Sequence, residues 1–170
     1  MKKLGKSSKK GFTLVELIVV LVILAVLAAM LVPALIGYID RAKKEKEFQA
    51  ASTVYAAVQA LATEAYGKDK ILYDGQGDDD DAEVYDKFTI AEVTKLTGVE
   101  VNDIYFSVRE GEEAIDMYTI YTIGVQFKEG ESWYTYTLQD GTWETETDDD
   151  FEKDDLEQMA SGEEDTTAGG

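Results

Sequence analysis

A single carboxylate, Glu16, stands at the mouth of an uncharged run, Leu17 to Ile36, built only of Leu, Ile, Val, Ala, Met and one proline, Pro33. At about 20 residues the run is long enough to cross a bilayer's hydrocarbon core as a helix. An ionised acid in lipid costs about 2.5–3.5 kcal/mol on insertion scales, so an acid in this position is a functional residue by default. The cost falls if a cation meets it inside an assembled structure. Lys2, Lys3, Lys6, Lys9 and Lys10 precede the run, and Arg41, Lys43, Lys44 and Lys46 follow it. Other chemistry is sparse. The chain has no histidine and no cysteine, which removes the commonest general base and metal ligand as well as any thiolate or disulfide. No nucleophile–base arrangement and no cofactor loop appears, so an enzyme is the least favoured class. No cofactor and no metal ligand set is expected.

The residues around the acid, Gly11-Phe12-Thr13-Leu14-Val15-Glu16 after a lysine-rich leader, resemble the prepilin peptidase motif of type IV pilins and pseudopilins. The resemblance covers roughly Lys9 to Ala60. It implies that the leader is cut after Gly11 and that the new terminal residue, Phe12, is N-methylated. Glu16 matches the family's glutamate at the fifth mature position, and Pro33 matches the proline that commonly interrupts the helix. Cleavage would create a free amine on Phe12. The Glu16 carboxylate can then pair with the Phe12 amine of a neighbouring subunit and fix axial register. The bland alternative is an ordinary signal anchor with an acid snorkelling at the membrane surface.

These residues need a helix to position them. The run is apolar all round, as suits lipid or the core of a helical bundle. Pro33 lacks an amide proton and Gly37 adds backbone freedom, so a kink or locally extended segment is expected between Met30 and Gly37. Beyond Arg41 the pattern turns amphipathic. Ala51, Val54, Val58, Leu61 and Ala65 form one apolar face that a sheet can cover, and Gly67 is the expected stop. One helix should run from about Thr13 to Tyr66.

From Lys68 to Phe88 the chain reads as a loop containing Asp78-Asp79-Asp80-Asp81. Clustered carboxylates raise the question of calcium, but the spacing does not match an EF-hand loop, and a solvated acidic loop is the favoured reading. Thr89-Ile-Ala-Glu92 has the form of a capping box. It predicts a short helix over 90–97 with Ile90, Val93 and Leu96 inward, ended by Gly98. The period then switches to strand in three stretches dense in aromatic and β-branched residues: Ile104 to Arg109, Asp116 to Phe127 and Trp133 to Leu138. Turns at Gly111, Gly130 and Gly141 make these a three-stranded antiparallel meander. Which face of the middle strand is inside stays open, and the aromatics are read as packing residues. After Trp143 the sequence is acidic and simple. Phe151, Leu156 and Met159 suggest a weak amphipathic turn, and the remainder is expected to be disordered.

The fold class expected is therefore α+β, a long N-terminal helix packed on a small antiparallel sheet, pilin-like. The expected divisions are a leader over 1–11, a membrane or filament-core helix over 12–37, a globular domain over 38–143 and an acidic tail over 144–170. From Phe48 onward there are 31 acidic and 7 basic residues, a net of 7 − 31 = −24. Such a domain repels nucleic acid and anionic headgroups, so no direct nucleic-acid binding is expected. Three function classes follow. The first is a filament subunit whose partners are further copies of itself, a prepilin peptidase, a membrane assembly platform and, before assembly, the membrane. The second is a pseudopilin of a secretion or DNA-uptake machine. The third is a membrane-anchored monomeric binding module. The resemblance implies adhesion, motility, DNA uptake or secretion as the purpose of a filament, without choosing among them.

Overall fold

The computed structural model describes residues 11–74, 76, 82–111, 113–128, 130 and 132–162. The chain divides into two units, Met1–Glu45 and Lys46–Gly170. What is described of the first is a short non-helical entry, Gly11 to Thr13, and the beginning of helix α1, Leu14–Tyr66. Helical conformation continues through Pro33 and Gly37, so the locally extended segment expected between Met30 and Gly37 is absent. Only one intrahelical donor is lost at a proline, and the flanking Ala, Leu and Met are strong helix formers.

The second unit is built around the last turns of α1. Ala51, Val54, Val58, Leu61, Ala62 and Ala65 are its buried face, the face foreseen from spacing with Ala62 added. Helix α2, Ile90–Thr97, is capped as its sequence predicts: Thr89 Oγ1 accepts from the Glu92 amide, and Gly98 closes it in the left-handed conformation (φ 70°). Ile90 and Val93 are buried, whereas Leu96, expected inward, is 56% exposed.

The sheet has five strands, not three. They are β1 (Val101–Val108), β2 (Ile120–Phe127), β3 (Trp133–Thr137), β4 (Trp143–Glu146) and β5 (Glu157–Gln158), in the order β4-β3-β2-β1-β5, all antiparallel. The start of the expected second strand is instead a 3-10 turn, Ala114–Tyr118. Residue pairs Ile104↔Val125, Phe106↔Ile123 and Ile123↔Tyr136 share the core-facing side. The sequence left the inner face of β2 open because alternation is broken there. Val108 pairs with Ile120 but Ser107 with Thr122, so a one-residue bulge at Tyr121 turns both Ile120 and Ile123 inward. Gln59 on α1 secures this junction: its side-chain carbonyl accepts from the Ile120 amide (2.9 Å) and its NH₂ donates to the Tyr118 carbonyl (2.8 Å).

The tail expected to be disordered from residue 144 is structured to Gly162. After β4 the chain crosses the sheet's outer face, adds β5 beside β1 and ends against α2. Phe151 and Met159 are buried. Phe151 stacks on Trp133 (centroids 4.4 Å apart, planes 23°) and fills a notch over Gly124, where an added Cβ would lie 2.2 Å from the ring. The Trp133 indole N–H donates to Asp148 (2.8 Å), and Lys153 bonds the same carboxylate (2.7 Å) while lying over the Trp133 ring. Further on, the Ala160 and Ser161 carbonyls accept from the Ile90 and Ala91 amides, satisfying donors that a helix N-terminus leaves free. A few well-seated side chains thus outweigh the tail's disorder-prone composition.

Candidate processing and assembly site

The site is the first turn of α1 and the non-helical residues before it. Gly11, Phe12 and Thr13 lie outside the helix, and α1 begins at Leu14. Phe12 is 84% exposed, and a side chain at Gly11 would meet nothing. The backbone around the Gly11–Phe12 bond is therefore open to a second molecule.

Thr13 and Glu16 form a reciprocal capping box. The Glu16 carboxylate accepts from the Thr13 amide (2.8 Å) and from the Thr13 hydroxyl (2.7 Å), while the hydroxyl accepts from the Glu16 amide (3.3 Å). The box satisfies donors at the helix start and places an acid where the helix dipole is positive. Spacing alone could have shown it, since Thr13-Leu-Val-Glu16 has the same form as Thr89-Ile-Ala-Glu92. The acid's place at a membrane's edge drew attention away from its local partner.

From Leu14 to Ile39 every side chain is exposed. Among the described residues, one helix, α1, is long and apolar enough to cross a membrane. Exposed apolar surface on this scale is not left to water; it belongs to lipid or to other protein. Pro33 and Gly37 lie within this surface, and neither is brought near Glu16 by the fold. Asp78–Asp81, the acidic run considered for calcium, lies outside the described residues.

The second unit contributes a cleft of about 560 Å³ between the crossing tail and β2–β4, with Thr122, Thr135, Glu144, Glu146, Asp150 and Asp154 in its lining. Its carboxylates extend the acidic character read from composition. Sequence reasoning missed the tail's own seat, Gly124 beneath Phe151 with Asp148 and Lys153 beside Trp133. The only signals were an isolated glycine inside a strand and an aromatic in a polar tail.

The chain matches the family description "prokaryotic N-terminal methylation motif" over residues 6–32. No curated protein matches it, and no solved structure does. The match spans Gly11, Phe12 and Glu16 and most of the exposed run. It supports a pilin- or pseudopilin-like precursor, and with the apolar helix it is consistent with membrane anchoring.

Proposed function

We propose, taking the N-terminal methylation motif at residues 6–32 as premise, that this chain is the precursor of a structural subunit of an extracellular type IV filament. A prepilin peptidase removes the leader after Gly11, and Phe12 becomes the methylated N-terminus. The chain first resides in the cytoplasmic membrane through the apolar part of α1. At the assembly platform this part leaves lipid and packs against its copies. The observation that carries the reading is the motif followed immediately by a helix whose apolar side chains, from Leu14 to Ile39, all lie exposed.

The physical driving force is apolar burial and close packing among these helices. Burial of a side chain such as Leu, Ile or Val is worth about 1.5–3 kcal/mol relative to water. In lipid the hydrophobic term is largely spent already, so packing and pairing must decide register. Glu16 supplies the pairing, its carboxylate meeting the Phe12 amine of a neighbour. Glu16→Ala tests this: membrane insertion should persist while sheared filament yield collapses. Normal filament yield from Glu16→Ala would refute the pairing. A pseudopilin in a secretion or DNA-uptake machine shares every step up to assembly and differs in making a short polymer.

A further inference from the structure

Resting on that reading of the Gly11–Phe12 bond as the processing site, we infer that Thr13 is a positioning residue for cleavage. It sets where α1 begins, and so keeps the scissile bond outside the helix. Thr13 is the N-cap: its carbonyl accepts from the Leu17 amide, and its side chain and amide close the box with Glu16. Phe12 and Gly11 therefore lie outside the first turn.

The next residue upstream suited to capping is Gly11, since glycine is tolerated at that position. A helix capped there would take Phe12 as its first helical residue, with the Gly11–Phe12 bond at the cap itself. Nothing steric opposes this, because Phe12 is exposed and a side chain at Gly11 meets no neighbour. The choice between the two starts thus falls to capping strength, and Thr13 with Glu16 decides it in favour of the later one. Cutting a structured bond tracks the population of its open form when opening is fast. A peptidase must align substrate on both sides of the bond it cuts, and a helical turn folds that strand back on itself.

The experiment uses the full-length precursor in detergent micelles with purified prepilin peptidase. Thr13 is replaced by Val, which keeps shape but removes the hydroxyl, by Ala, and by Ser, Asn and Asp, which retain capping ability. Two quantities are read on each variant: kcat/KM for release of the leader, and amide-exchange protection at Val15 and Glu16. The expected result is a drop in kcat/KM for Val and Ala of at most about fivefold, the limit set by a cap worth about 1 kcal/mol acting on the population of the open form. Protection should rise at Val15 and Glu16 in those two variants, because a helix begun at Phe12 bonds these amides to the Gly11 and Phe12 carbonyls, while Ser, Asn and Asp stay near wild type in both readouts. Val cut at the wild-type rate would overturn the inference, whether or not the helix start had moved. Slow cutting of all five variants, the capping ones included, would also overturn it, because the peptidase would then be reading threonine directly. Wild-type precursor left uncut at Gly11–Phe12 would remove the processing reading itself and this inference with it, an outcome distinct from the other two.

Discussion

Replacing Gly124 with alanine should eject Phe151 from the outer face of the sheet. The added Cβ would stand 2.2 Å from the ring's Cζ and 2.8 Å from one Cε, inside any tolerable contact, so the ring must leave or the tail must lift. Leaving breaks the stack on Trp133 and the edge contact with Tyr105. Aromatic pairs of this kind are worth about 0.5–1.5 kcal/mol beyond the area they bury. Truncation of a buried Phe to Ala costs about 3–5 kcal/mol, and a ring seated against a sheet face belongs at the low end. Gly124→Ala and Phe151→Ala are thus each expected to cost about 3 kcal/mol. In the Phe151→Ala background the obstruction is gone, and alanine should stabilise the strand by about 0.5–1 kcal/mol relative to glycine. The double mutant then sits about 0.5–1 kcal/mol above the single mutants in stability, a coupling of about 3.5–4 kcal/mol. The assay is urea unfolding of the full chain in micelles, followed by Trp133 emission with Trp143 replaced by Phe. Equal destabilisation by Gly124→Ala in both backgrounds would show that the ring does not seat over Gly124.

Three further outcomes follow from the same structure. Gln59→Leu leaves the Ile120 amide and the Tyr118 carbonyl without their partner and should cost about 1–3 kcal/mol, read from the same unfolding midpoint. Thr89→Ala removes the α2 cap and should cost about 1 kcal/mol, with amide exchange rising first at Ile90 to Val93. Lys153, then the Trp133 indole, hold the Asp148 carboxyl below its ordinary value, with the nearby Lys153 charge adding to the effect. A carboxyl lowered on folding stabilises above its unfolded value and loses that contribution as pH falls through the folded one. The difference in unfolding midpoint between wild type and Asp148→Asn should accordingly be constant from pH 8 to about 5 and shrink below about 4. A difference that grows on acidification would contradict the assignment.

How far the sequence disclosed this architecture depends on how local the signal was. The face of α1 from Ala51 to Ala65 and the α2 cap at Thr89 were legible because helix period and capping are written within a few residues. The hairpin turns placed the β1–β2–β3 meander correctly, but β4 and β5 were hidden. Trp143–Glu146 is short, and Glu157–Gln158 pairs through only Tyr105 and Phe106. β4 forms a hairpin with β3, yet its Trp-Glu-Thr-Glu sequence reads as polar tail, while β5 takes its strand identity from a distant partner, and composition argued for disorder. Gly124 reads as a weak point in a strand until Phe151, far along the chain, is laid upon it. At the N-terminus Gly11, Phe12 and Glu16 stood out through type and spacing, while Thr13 was overlooked although it shares a box with Glu16. Pro33 raised an expectation of extended backbone that a run of strong helix formers overrides.

The account turns on whether the chain is cut at Gly11–Phe12 and leaves the membrane. Intact mass and N-terminal sequencing of protein from its native host, in membrane and sheared-surface fractions, test both together. The expected result is a chain beginning at methylated Phe12 and enriched in the sheared fraction. A chain that still begins at Met1 and stays in the membrane would contradict it and leave an anchored binding module in its place.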